Sequence, residues 1–408
     1  MIPALVGYVT RREGRKFLCL QFPGGSSVEA SGGAVALYVH VPFCRKLCPF
    51  CCFNRYLFKE DLARRYFIDL RHELELYLER GFNFSSVYFG GGTPTVLMDE
   101  LGAFVTYLKT RCDIKKISLE TTPGELTTQN IELLKQMGVN RLSVGVQSFD
   151  ESVLKTMGRN NGSAEEVKKR LLAAEGQFAT LNVDFVFNFP GQTVAQFASD
   201  VAAFKSLGLD QATFYPLMAS PHKKDAMERR FNRVNNSRER LFYDIILREL
   251  YQGGYKPSTA WCFSRGERMI DEYIVEDDDY IGIGAGSVSM FRGNFLVNTF
   301  SLDRYHAFAE ENKLPLVGWR RLSTREARRY YLLTKLFGLK VDTETLNRRF
   351  EGDAKLGFEL AFLKIAGVIS GGGVLNVTER GMHPVSVMMR EFFASLNTLR
   401  EQYIERQI

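Results

Sequence analysis

The chain has 408 residues, 45% of them hydrophobic and 25% charged, with a formal net charge of +6 and seven cysteines. That composition is ordinary for a globular protein, and the length leaves room for two or three domains or for one large α/β unit with an appendage. Seven cysteines are too few and of the wrong parity for a disulfide scaffold; no apolar run reaches the roughly 18 residues of a membrane span; and the mild positive charge is spread along segments such as 325–329 rather than gathered into a nucleic-acid-binding tract. The first residues show no charged start followed by an apolar core, so no secretory signal is expected. A reducing cytoplasm is the expected home, and there clustered cysteines usually bind metal or do chemistry.

Residues 1–33 are polar and rich in glycine over 24–33, and read as an arm or short hairpin followed by a linker. From residue 34 the pattern becomes regular. AVALYVHV (34–41) reads as a buried strand. Residues 61–81 read as an amphipathic helix, with Ala63, Tyr66, Phe67, Leu70, Leu74 and Tyr77 on one side and Gly81 as its stop. SSVYFGGG (85–92) reads as a second strand with a helix over 99–110, and KKISLETTP (115–123) as a third with a threonine-capped helix over 127–138. NRLSVGVQS (140–148) is a fourth strand with a helix over 163–175, TLNVDFVFNFPG (180–191) a fifth with its helix over 193–208, and QATFYPLM (211–218) a sixth.

Strands alternating with helices at about thirty residues per unit imply right-handed crossovers and a parallel sheet. Six units are too few to close an eight-stranded barrel, so residues 34–235 are expected to form an α/β core, an open six-stranded (β/α)6 partial TIM barrel. Residues 236–322 carry a helix and then an irregular, glycine-rich stretch over 279–294, read as an extension that closes the site. Residues 323–408 read as a helical, winged-helix-like C-terminal domain with a short hairpin over 371–381. Ligands of such sheets sit at the carboxyl ends of the strands. Four sequence features fall at those ends: the cysteines after the first strand, GGGTPT after the second, Glu120 within the third and Gln147 at the fourth. They predict one active site.

The segment HVPFCRKLCPFCCFNRY (40–56) packs Cys44, Cys48, Cys51 and Cys52 into nine residues. Structural zinc normally draws a second pair of ligands further on, yet the next cysteine, Cys112, stands alone. A thioredoxin-type pair leaves the third thiol unexplained, and a disulfide knot conflicts with the compartment. A 4Fe–4S cluster takes up to four thiolates. The spacing Cys44-x3-Cys48-x2-Cys51 would supply three and leave one iron open to a small chelating molecule, which is the favoured reading.

That loop, following a first strand and with the aromatic Phe50 before its last cysteine, resembles the radical S-adenosylmethionine (SAM) superfamily. YVHVPFC (38–44), YFGGGTPT (88–95), SLETTPGELT (118–127), GVNRLSVGVQSF (138–149), MGRN (157–160) and DFVFNFPGQT (184–193) are together similar to its oxygen-independent coproporphyrinogen III oxidase family. That family includes haem chaperones, anaerobic haem-degrading enzymes and class C radical methyltransferases. DYIGIGAGSVS (279–289) resembles the family's segment after the core. The resemblance implies a barrel of radical SAM type, a 4Fe–4S cluster on Cys44, Cys48 and Cys51, and S-adenosylmethionine on the open iron, cleaved reductively to a 5′-deoxyadenosyl radical. It implies that Tyr38 neighbours the cluster and that Phe50 lies against the adenine. Gly90, Gly91, Gly92 and Thr93 would meet the methionine amino group, and Glu120, Gln147, Arg159 and Asp184 would hold the carboxylate and ribose. Some members bind a second S-adenosylmethionine; Ile283, Gly284, Ala285 and Gly286 are the candidates for that contact. A porphyrin, lipid-like or other small-molecule substrate is implied, and an electron donor such as a flavodoxin or ferredoxin.

The sequence departs from the oxidases at one point. They carry a further cysteine two residues after the last cluster ligand, where this chain has Phe53; its extra thiol, Cys52, comes one place earlier. Cys52-Phe53-Asn54 is closer to the chaperone-like members. Neighbouring side chains in an extended loop point opposite ways, so Cys52 is expected to face away from the cluster as a small buried apolar residue. Trp261, Phe263, Arg265, Met388, Met389 and Phe392 could form an apolar wall with a cation, although core packing is the simpler expectation. His222, His306 and His383 are isolated in the sequence, with no ligand partner nearby. An enzyme of tetrapyrrole chemistry is therefore expected, with a class C methyltransferase on another unsaturated or lipid-like substrate, or a haem-binding chaperone, as the alternatives.

Overall fold

A computed structural model describes residues 2–21, 29–30, 32–218, 225, 228–229, 235–268, 273–350, 357–406 and 408. The six expected strands form, as β1 (Val35–Val41), β2 (Phe84–Gly91), β3 (Lys116–Thr121), β4 (Arg141–Gln147), β5 (Thr180–Phe187) and β6 (Gln211–Pro216). Each pairs in parallel with the next. Their apolar runs are buried on both faces, as a parallel sheet covered by helices requires. The helix after β1, α2 (Glu60–Glu79), buries Ala63, Tyr66, Phe67, Leu70, Leu74 and Tyr77 as its periodicity predicts, and the chain turns away through Gly81 at φ +81°. Thr127 caps the helix after β3, and reciprocal capping boxes open those at 163 and 193.

Residues 236–322 do not form a separate layer. Their strands continue the sheet at both edges, giving twelve strands among the described residues. Lys256–Pro257 (β7) and Cys262–Ser264 (β8) add antiparallel beyond β6. On the other side Tyr280–Ile283 (β9) lies parallel to β1, followed by antiparallel Val288–Phe291 (β10), Asn294–Asn298 (β11) and Leu316–Arg321 (β12). The stretch read as irregular is thus strand. Its glycines serve close contacts: a Cβ on Gly282 would stand 2.2 Å from the Val288 carbonyl oxygen.

The N-terminal residues are also not an extended arm. Ile2–Phe17 is a helix, α1, lying against the long C-terminal helix Glu379–Glu405, here α11. Gly7 and Gly14 are where the two helices close up. A Cβ on Gly7 would come 3.1 Å from Val387, and one on Gly14 2.9 Å from Ser395 Oγ. Residues 22–28, part of the expected linker, lie outside the described residues. The C-terminal region is helical with a small three-stranded antiparallel sheet, and packs on the barrel through a second apolar core centred on Trp261, Phe337, Val385 and Met389.

Replacing Gly14 with leucine should wedge α1 from α11. Overpacking of this kind costs about 1–3 kcal/mol, readable as a lower urea midpoint. An unchanged midpoint would mean that the helices do not meet there.

Candidate functional site at the carboxyl ends of the strands

In each of the six strands a half-buried position interrupts the buried pattern: Tyr38, Tyr88, Glu120, Gly145, Asp184 and Tyr215, with Gln147 a second on the fourth strand. Pairing sets Tyr38 beside Tyr88 and Gly145 beside Asp184, so these positions share one concave face. Glu120 accepts from the Tyr88 hydroxyl at 3.0 Å and the Gly91 amide at 3.2 Å. Asp184 accepts from Ser143 Oγ at 2.8 Å and Asn182 Nδ2 at 2.7 Å. Donors anchored in the sheet thus hold both carboxylates. Gly90 lets them close up, since a Cβ there would lie 3.0 Å from Glu120 and 3.1 Å from Tyr38.

The cysteine loop springs from β1 and is closed at its base, where Phe43–Cys44 pairs with Tyr56–Leu57. The glycine loop after β2 is bonded to that base. The Gly92 amide donates to the Val41 carbonyl and the Thr93 amide to the Phe43 carbonyl, both at 2.8 Å. Gly91 sits at φ +109° against the His40 ring, and a Cβ on Gly92 would stand 2.6 Å from the Phe43 carbonyl oxygen. Thr93 Oγ1 reaches Cys44 Sγ at 3.7 Å.

Cys44, Cys48 and Cys51 are partly buried and free of disulfides. Burial pushes Cys44 up to about 11 and Cys48 upward too. Cys51 lies near enough to act on both electrostatically. Forming thiolates here requires a strong positive centre. Among the described residues no three histidine, cysteine or acidic side chains converge on a point where one ion could bind. A four-iron cluster asks for something else: thiolates spread around a cube, each on its own iron. The three thiols fit that donor set.

The fourth strand brings further groups to the same rim. Gln147 lies at φ +73° just past a register shift, a costly conformation of the kind that clusters at functional sites. Arg159 donates to the Gly145 carbonyl at 2.8 Å, and its charge favours the Cys48 thiolate. The turn carrying it touches the cysteine loop, because a Cβ on Gly158 would lie 2.8 Å from Pro49. Phe50 packs edge-on to Phe189, centroids 5.7 Å apart, beside Met157 and Val186. Tyr38, Phe50, Gly90 to Thr93, Glu120, Gln147, Arg159 and Asp184 thus lie around the same carboxyl-end rim as the cysteine loop.

Residues 283–286 run from the carboxyl end of β9, beside the end of β1 and against His40 and Asn54. All four are buried; the amides of Gly284, Ala285 and Gly286 donate to Glu73 Oε2, Tyr66 Oη and the Thr299 carbonyl. These three amide hydrogens are thus engaged within the fold. Trp261, Met388, Met389 and Phe392 pack in the second apolar core, in line with the simpler expectation, and Phe263 in the first. Trp261 is core, bonded to Ser386 at 2.8 Å, while Arg265 stacks 4.9 Å from Tyr255 near the amino end of β6. His306 pairs with Asp69 and Glu310, and His383 is buried 3.5 Å from Glu239. His222 and parts of 214–231 and 260–273 lie outside the described residues. Cys52 turns away from the other thiols, with Sγ 3.0 Å from the Met218 carbonyl oxygen.

Sequence reasoning placed His40 in a motif but missed its part. Its Nε2 is 2.9 Å from the Asn54 carbonyl, so that nitrogen carries the hydrogen; Nδ1 then accepts from the Tyr38 hydroxyl at 2.9 Å. Asn54 Nδ2 donates onward to the carbonyls of Ala285 and Phe300. Burial holds His40 down to about 4 from 6.5, so the folded protein keeps it neutral. Below pH 6.5 the unfolded chain takes up a proton that the folded one refuses, and stability is lost as pH falls from 6.5 toward 4. Between pH 7.5 and 5.5 the wild type should lose about 1.4 kcal/mol more than His40→Asn, read as urea midpoints. Equal losses would contradict a neutral buried His40.

Residues 38–204 match the Radical SAM superfamily model. The chain is 26% identical over 382 residues to the oxygen-independent coproporphyrinogen III oxidase of Salmonella typhimurium, covering 85% of this chain and 81% of that one. It is 25% identical over 301 residues to the haem chaperone HemW of Bacillus subtilis, covering 71% and 79%. The coproporphyrinogen III oxidase HemN of Escherichia coli, a radical SAM enzyme, aligns with 92% of this chain and 95% of its own, at TM-score 0.77 and 22% identity, a likeness of fold. The chain therefore carries a radical SAM domain and is a homologue of HemW and the oxygen-independent oxidases. These relations support an enzyme, and the superfamily implies a 4Fe–4S cluster and S-adenosylmethionine as cofactors. Among the described residues no helix is long and apolar enough to cross a membrane.

Proposed function

We propose that this is a radical SAM enzyme of the coproporphyrinogen oxidase-like family acting on a tetrapyrrole. The observation that carries the reading is the shared rim: three thiols on one loop, a glycine loop bonded to their base, and sheet-anchored carboxylates on the third and fifth strands. Cys44, Cys48 and Cys51 would hold three irons of the cluster. Bound together, cluster and S-adenosylmethionine supply one-electron reductive cleavage of the sulfonium, chemistry that belongs to the cofactors.

The protein's own part is binding and orientation. The amides of Gly91, Gly92 and Thr93 already donate to Glu120, Val41 and Phe43. What the glycine loop has left for a ligand is carbonyl oxygen, an acceptor suited to the methionine ammonium. Arg159, tethered through one nitrogen to Gly145, keeps further N–H groups for a carboxylate. Glu120 and Asp184 offer fixed acceptors to hydroxyl groups, and the Phe50 ring offers a face to adenine. Tyr38 sits between the cluster loop and the concave face, its hydroxyl oriented by His40. An electron donor of the flavodoxin or ferredoxin kind would complete the system.

A second reading, a haem-binding chaperone, is favoured by the cysteine loop. Cys52 faces Met218, and Phe53, at the oxidases' extra cysteine position, is exposed. The two part in one assay. Reconstituted protein is incubated without oxygen with dithionite, S-adenosylmethionine, and either coproporphyrinogen III or haem. Tetrapyrrole-dependent 5′-deoxyadenosine is expected, lost in Cys44→Ala; S-adenosylhomocysteine beside it would mark methyl transfer. Tight haem binding with neither product supports the chaperone. Deoxyadenosine that no tetrapyrrole stimulates, with no haem bound, would remove the tetrapyrrole from the account.

A further inference from the structure

Two guanidinium groups beside the cysteine loop make no contact with a carboxylate among the described residues. Arg400, near the end of α11, is buried. Its Nη1 donates to the Cys52 carbonyl at 2.6 Å and to Asn397 Oδ1 at 2.7 Å, its Cζ lies 5.4 Å from the centre of the Phe53 ring, and its Nε is buried without a partner. Arg55 is half-buried. Its Nη2 donates to the Cys51 carbonyl at 3.0 Å, while Nε and Nη1 are buried without partners.

Among the described residues neither cation forms an ion pair. The other charges buried against α11 behave differently: Glu391 meets both Arg11 and Arg390, and Arg390 also meets Glu239. Taking a cation out of water costs several kcal/mol unless an anion or a full set of hydrogen bonds offsets it. Neutral carbonyl and amide oxygens offset only part. A missing anion is therefore to be sought next to the carbonyls of Cys51 and Cys52, and the cluster ligands are what stand there.

We propose that Arg55 and Arg400 are the counter-charges of the iron–sulfur cluster, offsetting the negative charge that three thiolates bring into the loop and so setting its reduction potential. The proposal rests on the radical SAM reading of Cys44, Cys48 and Cys51. Three thiolates outweigh the positive charge of an oxidised four-iron core, so the loaded loop is anionic. Reduction by a low-potential one-electron donor adds one more negative charge and makes or breaks no bond in the protein. Fixed cations favour the more negative state, most strongly where water is excluded. Arg400 reaches the loop from 348 positions away, so the C-terminal helix becomes part of the redox centre rather than a scaffold beside it.

The test is an anaerobic redox titration of the reconstituted full chain with dithionite, following the reduced cluster by electron paramagnetic resonance. Arg55→Met and Arg400→Met should each shift the equilibrium at least tenfold against the reduced form, 59 mV per tenfold for one electron. Arg55→Lys, which keeps the charge, should stay within threefold of wild type. A purely structural role would lower stability or cluster content without moving the potential. If Arg400→Met fails to fold or to hold iron, Arg55→Met decides alone. Methionine variants that load normally and titrate within twofold of wild type would overturn the proposal. A wild-type chain that retains no iron and sulfide would overturn the underlying reading with it.

Discussion

The site depends on two backbone hydrogen bonds. From Gly92 to Val41 and from Thr93 to Phe43, the pairing of the first two strands continues past the sheet into its loops. A cysteine loop alone is a flexible stretch whose thiols would prefer to be protonated. Fastened to the glycine loop, its base is as rigid as the sheet, and Cys44 is held at a fixed place relative to Glu120 on the third strand. That continuation works only because Gly91 takes a left-handed φ and Gly92 carries no Cβ to strike the Phe43 carbonyl.

Behind this rim runs a buried polar relay. His40 holds the Tyr38 hydroxyl in front and the Asn54 carbonyl behind; Asn54, Tyr66 and Glu73 bond to the backbone of Gly284 and Ala285. Tyr305 and Asn298 complete the acceptance at Glu73, whose carboxyl burial pushes up to about 7. Fully connected networks of this kind rigidify. The relay ties the return of the cysteine loop at Asn54 to the helix α2 and to the added strand β9, so the sheet extension supports the site from behind.

Much of this was legible in the sequence because it rests on short-range patterns. The face of α2, the threonine and serine caps and the alternation of strand and helix are local. So is the placing of the cysteines, GGGT, Glu120 and Gln147 at strand ends. What stayed hidden depends on distant partners. The first residues look like an arm until Val387 and Ser395 lie against Gly7 and Gly14. The glycines of 282–286 look irregular until Val288, then His40 and Tyr66, then Asn54 crowd them. His40 reads as one residue of a motif, while its role is set by Asn54 and, through it, by Ala285 and Phe300. Nothing local to Arg400 announces that it meets the Cys52 carbonyl.

The central claim is that Cys44, Cys48 and Cys51 together hold an iron–sulfur cluster. Anaerobic reconstitution with iron and sulfide, followed by assay of both and by the visible spectrum, tests it most directly. The account predicts about four iron and four sulfide per chain in wild type and in Cys52→Ala, with loss of the cluster in each of Cys44→Ala, Cys48→Ala and Cys51→Ala. A wild-type chain without the chromophore, or one indifferent to those three substitutions, would contradict it.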